Sequence, residues 1–167
     1  MSAPRTAFAA FCAPHGTPSW EDIITGYDFG LLNPAEIQAW VPKQGPAVQR
    51  LRALADAALE TFEAHLWAAC AEAIGKTPRP GSTRWAQAQD RWREVLLWEA
   101  LATEITATQL AIRVERLYEQ VGCPEDMLEL LKPSQSWSGT PATVDPAAVQ
   151  RFLNRTRDES RRYGAAS

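Results

Sequence analysis

The chain has 167 residues, a hydrophobic fraction of 46% and a formal net charge of −3 at pH 7, which allows one folded domain with a substantial core. The charge is too small to indicate a nucleic-acid or membrane partner, and no apolar run reaches the length of a membrane-spanning helix. Cys12, Cys70 and Cys123 lie far apart without metal-ligand spacing, which predicts reduced thiols in a cytoplasmic protein.

The first forty residues predict three short helices separated by turns that contain proline or glycine. The expected ranges are 4–13, from 20 to Gly26 or Gly30, and Pro34–Val41. Pro14 is expected to end the first of them, because proline disrupts a helix interior. Ser19 precedes two acidic residues and Asn33 precedes Pro34, so both are expected to cap helix N-termini.

A long amphipathic helix is predicted from Pro46 to about Ile74. Apolar residues recur there at steps of three and four, which is the spacing of one helical face. Gly75 is placed to end this helix, and residues 76–81 (KTPRPG) form a connection rich in proline and glycine.

The stretch from Trp85 to Val121 is expected to organise the chain. Its middle, Val95–Ala102, is apolar nearly all round, as in a helix that is covered on most sides. One unbroken helix would be roughly 57 Å long, whereas a compact chain of this size is about 40 Å across. Thr106 and Gln109 fit a capping box, which favours two helices over 83–104 and 107–121, with one kinked helix as the alternative.

The C-terminal third predicts two further helices around a long loop. Gly122 should end the preceding helix, and a short helix is expected over Glu125–Leu131. Residues 132–145 predict the loop, and an N-cap at Asp145 starts a last helix that runs to about Tyr163. Its inward residues are Val149, Phe152, Leu153 and Thr156, and residues 164–167 are expected to fray.

These patterns together predict an all-α fold. We expect a single domain over 1–167 with its core at about 18–163, a bundle of six to eight helices around a central hydrophobic helix pair. Most of the seven tryptophans should lie in the core, because large aromatic side chains contribute much buried area.

No motif in the chain predicts catalysis, a metal or a cofactor. His15 and His65 do not share a ligand spacing with nearby acids, and no nucleophile elbow, P-loop or dinucleotide fingerprint occurs. This argues against an enzyme. Glu99 is the exception, because apolar residues surround it in sequence, and burial would raise its pKa and suit it to acid–base work. The simpler alternative is that Glu99 pairs with an arginine or reaches solvent.

Charge is unevenly distributed near the C-terminus. The acidic residues Glu125, Asp126 and Glu129, with Trp137 in the loop, predict a protein-binding patch, because interface anchors are often tryptophan and charge steers partners. Trp137 folded back onto the core is the alternative. Arginines on one face of the last helix suggest nucleic-acid binding, although a solvated face that pairs with nearby acids is favoured. These arginines are Arg151, Arg155 and Arg162.

Two segments resemble a family of small bacterial helical proteins classed as a domain of unknown function. The first reads Trp20-Glu21-Asp22-Ile23-Ile24-x-Gly26, followed by Gly30-Leu31-Leu32 and Glu36-Ile37. The second reads Val114-Glu115-x-Leu117-Tyr118, followed by Gly122-x-Pro124-Glu125-Asp126. Together they bracket residues 18–131. The chain departs at Glu119-Gln120-Val121, where an acidic–aromatic pair is expected, and residues from Lys132 onward do not match.

The resemblance implies a helical protein with no catalytic residues to carry over. Small acidic bacterial proteins of this kind resemble immunity proteins, which neutralise toxins by direct binding. The implied partner is therefore a cognate toxin, and neither a membrane nor a cofactor is expected. A helical enzyme that uses Glu99 and a nucleic-acid-associated regulator that uses the C-terminal arginines remain the alternatives.

Overall fold

The computed structural model describes residues 6–42, 45–54, 59–103, 106–131 and 141–164. These residues form nine α-helices and a 3-10 turn without any β-strand, which confirms the predicted all-α class. The helices are α1 (Ala7–His15), α2 (Trp20–Asp28), α3 (Pro34–Trp40), α4 (Pro46–Ala53), α5 (Leu59–Ile74), α6 (Thr83–Ala102), α7 (Ala107–Gln120), α8 (Leu128–Leu131) and α9 (Pro146–Gly164), and the 3-10 turn Glu125–Met127 precedes α8. No helix in the described ranges combines the length and apolarity needed to cross a membrane.

Three helix starts follow from the local sequence. Ser19 Oγ accepts a hydrogen bond from Asp22 N at 3.1 Å, and Thr106 Oγ1 accepts one from Gln109 N at 3.2 Å. Asn33 caps α3 in the same way. In each case the third helical residue returns a bond to the backbone of the cap, so two otherwise unpaired N–H groups are satisfied. The cap at Thr106 separates α6 from α7, which confirms the interpretation as two helices.

Helix α1 differs from the prediction at both ends. Thr6 Oγ1 accepts a hydrogen bond from Ala9 N at 3.2 Å, so the helix starts directly after Thr6. The expectation that Pro14 ends the helix is wrong, because α1 continues to His15 with Pro14 in its last turn. Gly16 follows with a φ of 73°, a left-handed value that glycine adopts without steric cost.

The prediction of one continuous helix over residues 46–74 is also wrong. Helix α4 ends at Ala53, and Leu54 is extended with a ψ of 97°. The side chain of Gln38 supplies the physical reason, because its Nε2 donates to the carbonyl oxygens of Leu51, at 3.1 Å, and Leu54. The side-chain amide of a residue from another helix therefore satisfies carbonyl groups that a continuing helix would bond to its own backbone N–H groups.

Helices α4 and α5 pack against each other in opposite directions. Glu72, near the end of α5, accepts a hydrogen bond at 2.9 Å from the backbone N–H of Ala47, at the start of α4. The residue at the N-cap of α4 is Gly45, which has no side chain to accept this kind of bond. The carboxylate of α5 therefore caps α4, where negative charge also favours the helix dipole.

The chain divides into two compact units, Met1–Trp92 and Arg93–Ser167, and the division falls within α6. The core of the first unit contains fully buried side chains from several helices, among them Phe11, Ile23, Ile37, Leu51, Phe62 and Trp92. The core of the second unit contains Leu97, Leu110, Val114, Met127, Val149 and Phe152. The single domain over 1–167 and the central helix pair stay predictions.

The second unit matches the sequence expectation for α9. Val149, Phe152 and Leu153 are at most 2% exposed, and Thr156 is half-buried. Asp145 Oδ1 accepts a hydrogen bond from Ala147 N at 2.9 Å, which is the predicted cap. Of the predicted loop over 132–145, residues 132–140 lie outside the described residues. Of the predicted frayed tail over 164–167, residue 164 belongs to α9 and the others lie outside the description.

The tryptophans are less buried than predicted. Among the six that the structure describes, Trp85 and Trp92 are buried, whereas the remaining four are half-buried. Two of the half-buried rings contact each other edge to face, because the centroids of Trp20 and Trp40 lie 5.1 Å apart. Aromatic pairing of this kind stabilises rings at the rim of a core without complete burial.

Candidate functional site

The buried carboxylate of Asp22 organises the start of α2 in the first unit. Its side chain is 5% exposed. Oδ2 accepts hydrogen bonds from Ser19 N at 2.8 Å and Ser19 Oγ at 2.9 Å, and Oδ1 accepts one from Arg91 Nε at 2.7 Å. A second Arg91 nitrogen, Nη2, lies 2.6 Å from Oδ1. A carboxylate removed from water requires such charged and polar partners, so Asp22 both completes the capping box of α2 and orients Arg91.

Trp92 packs against the same segment of α2. Its indole Nε1 donates to the carbonyl oxygen of Asp22 at 2.7 Å, and its ring centroid lies 4.4 Å from that of Phe11. Gly26 permits this packing, because a Cβ at that position would lie 2.6 Å from Trp92 Cζ2. The acidic residue and the glycine of the Trp-Glu-Asp segment therefore have packing roles within the first unit.

An open cleft of about 270 Å³ lies beside this network. Its lining residues, called the Arg84 cleft below, are Ser19, Glu21, Arg84, Gln87 and Arg91. Arg84 Nη1 donates to Glu21 Oε1 at 3.1 Å. The arginine side chains are the more exposed partners, at 58% for Arg84 and 33% for Arg91, whereas that of Glu21 is 12% exposed. Guanidinium groups therefore dominate the solvent-facing side of the cleft.

The predicted acidic patch lies on the 3-10 turn and α8 in the second unit. Glu125, Asp126 and Glu129 are all exposed. The segment enters this turn through Gly122 and Cys123, whose φ angles of 79° and 55° are both left-handed. Cys123 N donates to the carbonyl oxygen of Tyr118 at 2.8 Å, which closes the end of α7 and directs the acidic residues outward.

Two of these acids pair with arginines of their own unit. Arg93 Nη1 donates to both Asp126 oxygens, at 2.6 and 2.7 Å. Arg155 donates to both Glu129 oxygens, from Nη1 at 3.2 Å and from Nη2, and these hydrogen bonds raise the pKa of Arg155. Both guanidinium groups also contact the ring of Phe152, with their carbon atoms 5.1 and 5.4 Å from its centroid. Each carboxylate is thus held in a fixed direction.

An exposed leucine accompanies the acids. Leu128 is 39% exposed, although the flanking Met127, Leu130 and Leu131 are buried. Single exposed leucines are common, but this one occurs between Asp126 and Glu129 in sequence, on a short structured segment. An exposed apolar side chain therefore belongs to the same short segment as the predicted partner-binding acids. Trp137, the fourth predicted partner-binding residue, lies outside the described residues.

Glu99 is partly exposed on α6, so it lacks the full burial that the sequence hypothesis required. Its backbone carbonyl accepts a hydrogen bond from Thr103 Oγ1 at 2.9 Å. The neighbours Leu97 and Ala100 are fully buried, whereas Trp98 and Leu101 are half-buried. The apolar stretch therefore has a solvent-facing side, and Glu99 lies on it. Its role in chemistry stays a prediction.

The arginines of α9 are partly committed to acidic partners. Arg155 pairs with Glu129, and Arg157 Nε lies 3.7 Å from Glu94 Oε1. Arg151 is exposed, and the side chain of Arg162 lies outside the description. From the sequence, a solvated face whose arginines pair with nearby acids was favoured over nucleic-acid binding, and these two pairs agree with that interpretation.

Two of the three cysteines, Cys12 and Cys70, have little nucleophilic character because they are partly or fully buried. Burial, followed by the charge of Glu21, raises the pKa of Cys70 to about 12, and burial also raises the pKa of Cys12. A thiol must ionise to attack, so both are poor nucleophiles at neutral pH. In the ranges that the structure describes, no three His, Cys, Asp or Glu side chains converge as metal ligands.

Sequence reasoning did not identify the arginine partners of Asp22 and Asp126. Arg91 and Asp22 are separated by 69 residues, and Arg93 and Asp126 by 33 residues. No local pattern links residues so far apart. The available signal was the spacing of Arg84 and Arg91, seven residues apart on one face of α6. Comparison of the chain with protein-family models, curated proteins and solved structures gives no match.

Proposed function

We propose that the protein is a non-enzymatic, immunity-type binding protein that neutralises a cognate bacterial toxin by direct protein–protein contact in the cytoplasm. The observation that carries this proposal is the acidic patch with its exposed leucine, defined here as Glu125, Asp126, Leu128 and Glu129. The resemblance of the two acidic segments to small bacterial helical proteins supplies the toxin as the partner class.

The patch has the two components that recognition requires. Leu128 offers apolar area that gains free energy when a partner covers it, at about 25 cal/mol per Å². The surrounding carboxylates attract a basic partner and disfavour an acidic one, which sets specificity and the association rate. Trp137, the remaining residue of the partner surface predicted from the sequence, lies outside the described residues.

The ion pairs within the second unit support binding rather than oppose it. Asp126 remains 45% exposed and Glu129 41% exposed although each accepts hydrogen bonds from an arginine. Both carboxylates are therefore accessible and already oriented. A partner would lose less side-chain freedom on binding them than on binding unpaired acids, and such preorganisation strengthens an interface.

The test uses the product of the gene adjacent to the one for this chain. We expect co-expression to relieve the toxicity of that product, and we expect a one-to-one complex in calorimetry. Glu125→Lys and Leu128→Asp should each weaken the complex by about ten-fold or more, which is about 1.4 kcal/mol.

Glu115→Lys is the matched control, because Glu115 is an exposed acid on α7 outside the patch. It should change the affinity by less than about three-fold. Absence of both protection and binding with the wild-type chain would remove the proposed function. Equal weakening by Glu115→Lys would show that total charge, rather than the patch, determines binding.

The alternative function is nucleic-acid binding through α9, which the exposed side chain of Arg151 supports. It predicts salt-dependent binding of duplex DNA or RNA that decreases when Arg151 and Arg155 are changed to alanine. The pairing of Arg155 with Glu129 makes this the weaker proposal.

A further inference from the structure

We propose that the Arg84 cleft in the first unit binds a small ligand through a phosphate or carboxylate group. This site shares no residue with the acidic patch and does not depend on toxin binding. The cleft lies where the N-terminal half of α6 meets the start of α2, and side chains from both helices line it.

The first argument is the spacing along α6. Arg84, Gln87 and Arg91 follow each other at steps of three and four, so all three project from one face of the helix. Guanidinium groups recognise phosphate and carboxylate oxygens through paired N–H donors, and an amide adds a further donor. One helical face therefore presents a row of donors to the cleft.

The second argument is that the positive side chains of the cleft are more exposed than the negative ones. The carboxylates point inward, with Asp22 5% exposed and Glu21 12% exposed, whereas the side chains of Arg91 and Arg84 are 33% and 58% exposed. Asp22 is also surrounded by donors from Ser19 and Arg91. An anion that enters the cleft would thus meet guanidinium groups first.

The third argument is donor capacity. Each guanidinium has five N–H groups. Among the residues that the structure describes, Arg84 uses one of them with Glu21, and Arg91 uses one on Nε and one on Nη2 with Asp22. Most of the donors are therefore available to oxygen atoms of a ligand. The pairs with Glu21 and Asp22 hold both guanidinium groups in place, which lowers the ordering cost of binding.

The size of the cleft limits the ligand. The cleft has a volume of about 270 Å³. This is slightly smaller than the sites of about 300–1,000 Å³ that enclose drug-sized molecules. The cleft therefore suits one anionic group with a few attached atoms.

The experiment is a titration of the full-length ¹⁵N-labelled chain with inorganic phosphate and, separately, with acetate, each at constant ionic strength. We expect saturable shifts of the side-chain N–H signals of Arg84, Gln87 and Arg91, with a dissociation constant of about 1–10 mM for the preferred anion. The two titrations distinguish a phosphate site from a carboxylate site.

Arg84→Gln should weaken binding by about five-fold or more, because it removes the most exposed charge in the cleft. Arg52→Gln is the control, since it makes the same change at an exposed arginine of α4 outside the cleft. It should alter the affinity by less than about two-fold. If Arg84→Gln does not fold by circular dichroism, Gln87→Glu replaces it, because Gln87 is exposed and an added carboxylate should also repel the anion.

Two results would overturn the proposal. One is the absence of saturable shifts with either anion up to about 50 mM, well above the expected dissociation constant. The other is equal weakening in the cleft variant and in Arg52→Gln, which would indicate general screening of surface charge.

Discussion

The Arg93 guanidinium is buried, with 4% of its side chain exposed, and it donates to both oxygens of Asp126 at 2.6 and 2.7 Å. Asp126 itself is 45% exposed, so the pair connects the interior of the second unit to its acidic surface. The same guanidinium lies over the ring of Phe152. A residue predicted only as a partner contact therefore also balances an internal charge.

Loss of this carboxylate should destabilise the second unit. We expect Asp126→Ala to lower the free energy of unfolding by about 1–3 kcal/mol, because it removes a carboxylate that accepts two hydrogen bonds from a buried guanidinium. Urea denaturation provides the measurement. Glu125→Ala, at the exposed neighbouring position, should change it by less than about 0.5 kcal/mol. A loss of similar size in both variants would contradict this interpretation.

Gly26 should not tolerate alanine. A Cβ there would lie 2.6 Å from Trp92 Cζ2 and 2.8 Å from Cε2, so the fully buried indole would have to move. We expect Gly26→Ala to cost about 2 kcal/mol or more in thermal or urea unfolding.

Gly30→Ala provides the comparison for Gly26→Ala. No atom lies within 4 Å of a Cβ at Gly30, whose φ is +69°. Only backbone strain opposes that change, with an expected cost of about 1 kcal/mol. A larger loss of stability in Gly30→Ala than in Gly26→Ala would show that the Trp92 contact does not exclude a side chain at position 26.

Thr25 should be replaceable by valine without loss. Its hydroxyl is fully buried on α2 and has no hydrogen-bond partner among the described residues. Valine has nearly the same shape and removes the desolvated hydroxyl, so we expect Thr25→Val to be neutral or to stabilise by about 1 kcal/mol. The same substitution at Thr106 removes a helix cap and should destabilise by about 1 kcal/mol. Calorimetric melting temperatures of the two variants should shift in opposite directions or, at minimum, differ clearly.

The stability of the first unit should depend on pH through Asp28. Partial desolvation of the carboxyl, followed by the charge of Glu63, raises the pKa of Asp28 above its ordinary value, although the residue is exposed overall. The folded state therefore binds its proton more readily than the unfolded state. This group favours folding at low pH and loses that contribution as the pH rises through the raised pKa.

Asp28→Asn should accordingly raise the melting temperature slightly at neutral pH, with the gain disappearing below about pH 3, where the carboxyl is mostly protonated in both states. Glu63→Gln should shift the pKa of Asp28 downward in a carbon-detected titration, because it removes the second cause. Asp158→Asn, at another exposed aspartate, on α9, serves as the control. A pKa of Asp28 that is unaffected by Glu63→Gln would leave burial as the only cause.

The sequence by itself determined the all-α class and the starts of several helices. The capping residues Ser19, Asn33 and Thr106 fixed helix starts, because a cap requires only residues three positions apart. Periodic apolar residues gave the all-α class and the buried face of α9. The acidic segment at 125–129 could also be recognised, since its charge and its turn are both local features.

Only the tertiary structure decided where the long-range partners lie. Gln38 divides the predicted long helix by bonding the carbonyl groups at the end of α4, and Arg91 and Arg93 meet acids 69 and 33 residues away. Whether a charged side chain is buried, paired or exposed depends on which elements pack beside it. That information is absent from spacing along the chain, because such contacts form only when distant segments come together.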